Sequence, residues 1–598
     1  MTSPASPSVW APGARTVALV IPTAAVFSAS DAWVPMVPDA SRPGWWSPPQ
    51  PADLADDAGR YGFSVDGGPP RPDPRSARQP DGVHGPSQLV DTGAYVWTDH
   101  AWAGRAVPGA VLYELHVGTF TSAGTLDAAI ERLGHLRDLG VDMVELMPVA
   151  AFDGHHGWGY DGVHPFAVHE PYGGPDALAR FVDAAHALGL AVALDVVYNH
   201  LGPSGSYVQT FGPYFTDDHP TPWGQGINVD GAGSGEVRRW VIDNAVRWLR
   251  DFHVDALRLD AVHEIVDDSP VHVLAELSET VAALAVELGR PLGLIAESDA
   301  NDPATVTPVA AGGLGMTAQW ADDVHHAVHA LLTGERQGYY ADFGSPAVLA
   351  RALTDVFVHD GGWSTFRGRP WGRPVPDEMD GHRFVVFSCD HDQVGNRALG
   401  DRPGSREGGR DLDLVAISAA LVLTSACTPM LFMGEEWGAS TPWLYFTDFP
   451  DPDLARTVTR GRREEFAGHG WDTGTVPDPQ DRGTFERSVL NWSEPQDPRR
   501  AALVSWHRRL IELRRTVPDL ASGDRSAVHV EALPAPGEGL LLVGRGSVTV
   551  AVNLSPTPRH MALTSGGRSG VGVLAAWGQV KLAGSTLIVP GRGVAVVG

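Results

Sequence analysis

From Val111 onward the chain alternates short apolar runs with amphipathic stretches, the pattern of βα units around a parallel sheet. Eight runs read as strands: Val111–Val117, Val141–Met147, Leu190–Tyr198, Val254–Val262, Leu292–Glu297, Gly315–Trp320, Arg383–Cys389 and Met430–Gly434. Eight is the number that closes a (β/α)8 TIM barrel. Between them Val237, Trp240, Val241, Trp248, Leu249 and Phe252 share one helical face, as do Leu178, Phe181, Val182, Ala185 and Leu188. A last helix over Arg499–Arg515 closes the set.

Both flanks carry a different texture. Residues 1–100 place short apolar runs, such as Val17–Ile21 and Tyr61–Val65, between turn formers, and predict an N-terminal immunoglobulin-like β-sandwich. Pro69–Pro86 is too proline-dense for helix or central strand and reads as an ordered connector wrapped across a neighbouring domain. After Pro518 the strand-and-turn pattern returns at Leu540–Val543, Val548–Val552, Val571–Ala575 and Thr586–Val589. The expected organisation is therefore multidomain: a sandwich over 1–100, a catalytic barrel over 101–517 and a C-terminal β-sandwich over 518–598.

Composition narrows the chemistry. The 598 residues carry 44 basic and 72 acidic side chains, a net charge of -28, with no run of Lys or Arg to track a phosphate backbone. Nucleic acid and anionic membrane are not expected partners. The two cysteines, Cys389 and Cys427, cannot make a disulfide framework or a thiolate zinc site. The first residues lack a basic segment followed by an apolar stretch, and Pro22 breaks the run Val17–Phe27, so a soluble cytoplasmic protein is expected. His325 and His329 are four apart but lack the following Glu of a zinc helix, and read as helix-surface or supporting residues. Gly231–Gly235 has no Gly-Lys-Ser/Thr, and no Gly-x-Ser-x-Gly occurs, which sets phosphoryl and acyl transfer aside. Nothing in the pattern calls for a metal or cofactor.

In such a barrel the reacting groups close the strands. Four runs end in carboxylates: Asp195 before Asn199-His200, Asp260 before Ala261-Val262-His263-Glu264, Glu297, and Asp390-His391-Asp392. Period-2 alternation puts Arg258 and Asp260 on one face and Leu257 and Leu259 on the other, so the charged pair points into the barrel mouth. A guanidinium beside Asp260 keeps it ionised and nucleophilic, while an apolar setting beside that charge is expected to keep Glu297 protonated, as a general acid requires. Two carboxylates of unlike environment at adjacent strand ends suit glycosidic cleavage, with retention if they stand ~5 Å apart.

These segments resemble the four sequence regions of the α-amylase superfamily of glycoside hydrolases, at Asp195–His200, Arg258–His263, Glu297 and His391-Asp392. The resemblance implies Asp260 as nucleophile, Glu297 as proton donor and Asp392 as the third carboxylate, with His200 and His391 on the same sugar and Tyr160 stacked beneath it beside Trp158. Asp390 departs from the pattern, where Asn is expected; accepting loop hydrogen bonds is the favoured role over perturbing Asp392.

Arg71–Asp91, Trp320–Gly344, Ser388–Arg402, Gly434–Phe466 and Pro477–Trp492 resemble the maltooligosyltrehalose trehalohydrolases in particular. That implies hydrolysis of the α-1,4 bond beside a terminal trehalose, with a maltooligosyltrehalose synthase as functional partner. The subsites beyond the cut are assigned to Ser298–Asp302 and to the stretches holding Tyr339, Tyr340, Trp363 and Phe366. The rivals are a glycogen-branching glucanotransferase using the same carboxylates and a non-catalytic glucan-binding protein.

Overall fold

The computed structural model describes residues 7–50, 54, 59–403, 405–406, 409–468, 475–533, 539–562, 572–584 and 586–598. Residues 1–6 and Val571, which entered the readings of the N-terminus and of one late strand, lie outside them.

Eight parallel strands close into a barrel in chain order. They are β1 (Leu112–Leu115), β2 (Met143–Leu146), β3 (Ala191–Val196), β4 (Ala256–Leu259), β5 (Gly293–Ala296), β6 (Ala318–Trp320), β7 (Phe384–Phe387) and β8 (Thr428–Phe432). Seven lie inside the apolar runs read from the sequence, and β8 starts two residues early, at Thr428. Its hydroxyl donates to the His382 carbonyl at 2.8 Å and accepts from Gly109 N–H at 2.8 Å, so a polar residue opens a buried strand without an orphaned group. Several predicted strands, Leu190–Tyr198 and Val254–Val262 among them, overrun the true ladder at the C-terminal end. There the chain leaves the sheet while staying buried, with Tyr198 and Val262 almost fully enclosed.

The barrel interior is filled, as this architecture requires. Ala191, Ala193, Ala256 and Ala318 face Trp320, Phe387 and Met430, small against large. Leu257 and Leu259 pack outward beneath the helices with no exposed surface. The helices Gly174–Ala187 and Ser234–Asp251 bury the faces predicted for them, with Phe181 and Trp240 among the fully enclosed side chains.

Before the barrel, a four-stranded antiparallel sheet (Ala32–Pro35, Val17–Ile21, Arg60–Val65, Ser87–Gln88) accompanies a three-stranded one built on Trp45–Ser47. The proline-rich stretch crosses the barrel's helices: Trp240 donates to the Pro74 carbonyl at 2.9 Å and Arg75 pairs with Asp243 at 2.8 Å. After it, five strands from Val528–Leu533 to Val573–Trp577 face three others. Leu540, Leu542 and Ala595 meet Met561, Leu587 and Val589 in a core of their own, which makes a sandwich. No helix among the described residues is long and apolar enough to cross a membrane.

Candidate active site

A cleft of about 620 Å³ opens at the C-terminal ends of the strands. Asp260, Glu297, Asp392, His200, His391, Tyr160, Trp158 and His263 line it. At its floor the Arg258 guanidinium, fully buried, reaches three carboxylates: Nη1 donates to Asp195 at 2.8 Å and to Asp260 at 3.1 Å, and Nη2 lies 2.9 Å from Glu297. Strand register explains the first contact, since Asp195 on β3 is the partner of Arg258 on β4. Burial pushes the Asp195 carboxyl up to about 7 despite the neighbouring Arg258 charge.

Asp260 is held from a second side by Asn199, whose amide donates to its Oδ2 at 2.9 Å. The next residue, Ala261, sits in the left-handed region at φ 37° and ψ 53°. A side chain there is strained, by about 1–3 kcal/mol. The turn aims the Ala261 N–H at Glu297 Oε2, 2.7 Å away. This corrects the apolar setting expected for Glu297: the carboxylate faces a backbone donor and a guanidinium rather than hydrocarbon.

Glu114, on β1, accepts from the His391 backbone N–H at 3.0 Å and from its Nδ1 at 2.5 Å. Burial alone would pull His391 down, but the charges of Glu114 and Asp392 outweigh it and hold the imidazole well above its usual range. Its Nε2 is left toward Asp392 at 3.5 Å. The ring stacks on Tyr160 with centroids 5.0 Å apart, and Tyr160 OH donates to Asp195 at 2.7 Å. His200 faces two acceptors, Asn199 Oδ1 at 2.6 Å from Nδ1 and the Tyr160 carbonyl at 3.0 Å from Nε2, and its N–H donates to whichever the tautomer allows; burial pushes it down to about 4. Asp390 accepts from Gln393 N–H at 2.7 Å and caps the short helix His391–Gly395, the loop-bonding role favoured from the sequence.

A family model for the alpha-amylase catalytic domain matches residues 92–216. The malto-oligosyltrehalose trehalohydrolase of Arthrobacter ramosus is 52% identical over 98% of each chain. This chain belongs to the malto-oligosyltrehalose trehalohydrolase family. It is a glycoside hydrolase of the α-amylase superfamily. A solved structure from Salmonella typhimurium, described as an alpha amylase, superposes with a TM-score of 0.84 at 37% identity over 98% of this chain and 96% of its own. The 1,4-alpha-glucan branching enzyme GlgB of Corynebacterium jeikeium is more distant, 26% identical over 60% of this chain and 50% of its own.

For a trehalohydrolase-family cleft, sequence reasoning missed one wall. Trp223, 53% exposed at a hairpin tip, stacks on His200 with centroids 4.4 Å apart. Tyr445 and the helix Pro452–Gly468, through Val458, Arg462 and Glu465, also line the cleft with Asp161 and Asn396, and Asp299 joins them from the Ser298–Asp302 loop assigned to the subsites. Trp223, Tyr445, Arg462 and Glu465 lie on insertions outside the barrel strands; only the spacing of Arg462 and Glu465 on one helical face was a signal.

Several residues assigned from the sequence lie outside the lining. Tyr340 is buried and its hydroxyl meets His325 Nε2 at 2.9 Å; Tyr339 packs on His326 and Phe366. Asp302 caps a turn by accepting from Ala304 N–H at 2.9 Å and pairs with Arg373 at 3.3 Å. Glu264 sits in the turn after Ala261, 3.7 Å from His263 Nε2. Trp363 and Phe366 are exposed on a short hairpin. His325 and His329 are buried rather than on a helix surface: the first meets the Ser388 carbonyl at 2.7 Å, the second Glu335 at 2.9 Å.

Proposed function

We propose that the protein hydrolyses the α-1,4-glucosidic bond joining a maltooligosyl chain to a terminal trehalose, releasing trehalose and a shortened maltooligosaccharide. Asp260 attacks the anomeric carbon as nucleophile, Glu297 protonates the departing trehalose oxygen, and Asp392 holds the hydroxyls of the cleaved unit. Glu297 then deprotonates the water that frees the glucan from Asp260, so configuration is retained. The observation that carries this reading is the single Arg258 fork shared by Asp260 and Glu297, which keeps the two carboxylates as a close pair across the cleft floor. Arg258 also donates to Asp260 Oδ1 at 3.1 Å, which orients the carboxylate for attack.

Trehalose has no reducing end, so recognition beyond the cut must fix hydroxyls on both rings. We assign that task to Trp223, Tyr445, Arg462 and Glu465, which line the cleft and offer stacking surface and hydrogen-bonding charge. The substrate is made by an enzyme that isomerises the reducing end of a maltooligosaccharide, the synthase partner of this reaction. We place the protein in the cytoplasm, in keeping with two buried unpaired cysteines, and set domain borders near residues 100 and 517.

Product analysis on two substrates tests the function. Maltotriosyl-trehalose should release trehalose far faster than maltopentaose is cut, and Asp260→Asn or Glu297→Gln should abolish nearly all of it. Equal rates on the two would leave a general amylase. A change in amylose–iodine absorbance without trehalose release would mark a branching transferase.

A further inference from the structure

A second groove, of about 540 Å³, lies along the seam between the barrel and the C-terminal sandwich. One side is the helix Pro498–Thr516 and the start of the helix Leu412–Leu423; the other is the strand Val573–Trp577. The half-buried Trp577 lines it. Its neighbours in the groove, Ala575, Ala576 and Gly578, are small and leave the indole uncrowded. The indole is held by its edge: Nε1 donates to Asp413 Oδ1 at 2.7 Å, and Arg499 donates to the same oxygen at 2.9 Å. Beneath it Trp506 is buried, its Nε1 tied to the Ala416 carbonyl at 2.9 Å, with ring centroids 6.3 Å apart. A half-open indole clamped in one orientation, beside an accessible carboxylate, a guanidinium and the exposed Ser505, offers a flat apolar face with hydroxyl partners at its rim. That is the chemistry that holds a sugar ring: C–H face on the indole, hydroxyls on the charges.

Position ties the groove to the reaction. A barrel helix begins at the end where the preceding strand finishes. Asp413 stands in the first turn of the helix after β7, and Arg499 in the first turn of the helix after β8. The groove's polar rim therefore lies at the end of the barrel that carries Asp260, Glu297 and Asp392. A linear polymer bound there runs along the same face that holds the cleft.

We propose that this groove is a second α-glucan binding site, separate from the catalytic cleft, which retains the maltooligosyl chain of long substrates with Trp577 as its platform. The proposal rests on the α-glucan specificity inferred above for the cleft.

Native electrophoresis through gels containing soluble glycogen, against gels without it, reads the site directly. Trp577→Ala, and Ser505→Trp, which fills the groove from an exposed position, should each bind glycogen roughly two- to tenfold more weakly than the parent, the loss of one aromatic platform. Trp577→Phe should recover most of the retardation. All three should cut maltotriosyl-trehalose at the parent rate, because the cleft is untouched; Trp577→Ala and Trp577→Phe lose the hydrogen bond to Asp413 and should melt lower, whereas Ser505→Trp keeps it and should melt near the parent temperature. If both Trp577→Ala and Ser505→Trp are retarded as strongly as the parent, the groove binds no glucan and the proposal falls. Failure of the parent to release trehalose while retardation still depends on Trp577 would instead overturn the proposed reaction and leave the groove standing.

Discussion

Glu114→Gln isolates the device that keeps His391 charged. In the parent, both Glu114 oxygens accept from His391, one from the backbone N–H at 3.0 Å and one from Nδ1 at 2.5 Å. Glutamine keeps one accepting oxygen and turns an NH2 toward the other donor. One buried hydrogen bond is lost and a donor left unpaired, a cost of about 1–3 kcal/mol. The charge is lost as well; an opposite charge at such range is worth about 1–3 pH units on its partner. The groups around the pair, Glu145, Asp195, Arg258, Asp390 and Asp392, remain. Because His391 is held above its unfolded value, the stabilisation it brings is fully present below a pH of about 6.5 and disappears as pH rises through the folded value. Glu114→Gln lowers that folded value, so the loss arrives at lower pH. The alkaline limb of kcat/KM on maltotriosyl-trehalose should move down by about one to three units, and the melting temperature should fall most at acid pH. Glu145→Gln is the control. Glu145 is Glu114's register partner on β2, is fully buried, and has no donor for either oxygen among the described residues. Burial, reinforced by Glu114, pushes it well above the usual carboxylate range, so it is a neutral acid and its amide should leave the limb where it was. An unmoved limb in Glu114→Gln, or a limb moved equally in Glu145→Gln, would refute this account.

Two further outcomes follow from the same geometry. Asp390→Asn keeps the cap on Gln393, and burial already pushes the Asp390 carboxyl well above its usual range, so kcat/KM should change less than tenfold, below about 1.4 kcal/mol; a larger loss would show that Asp392 depends on the Asp390 proton. In Gly395→Ala the new Cβ would stand 2.0 Å from Trp158 Cη2, while Trp158 is stacked on Trp443 with centroids 5.3 Å apart and donates to the Leu444 carbonyl at 2.9 Å. A lowered melting temperature, worth roughly 1–3 kcal/mol, and reduced trehalose release should appear together; parental values for both would mean that Trp158 can shift freely.

The barrel and the floor of its cleft were legible in the chain because their signals are local. An apolar run closed by Asp or Glu marks both a buried strand and the residue it presents, and alternation alone places Arg258 beside Asp260 and away from Leu257 and Leu259. Length and patterning likewise announced the flanking sheets. Other features depend on which distant segments meet. Glu297 reads as an acid among apolar neighbours, yet the strained turn at Ala261 and the reach of Arg258 surround it with donors. Tyr340 reads as a loop aromatic, yet burial against His325 removes it from the cleft. The cleft lining by Trp223, Tyr445, Arg462 and Glu465, and the groove at Trp577, are made by segments distant in the chain; Trp577 and Asp413 are 164 positions apart. The sequence by itself determined the strands, the inward-facing carboxylates and the chemistry they permit, since strand period and burial act over a few residues. Only the tertiary structure decided which insertions close over that chemistry and what charge each carboxylate feels, because desolvation and charge act through space rather than along the chain.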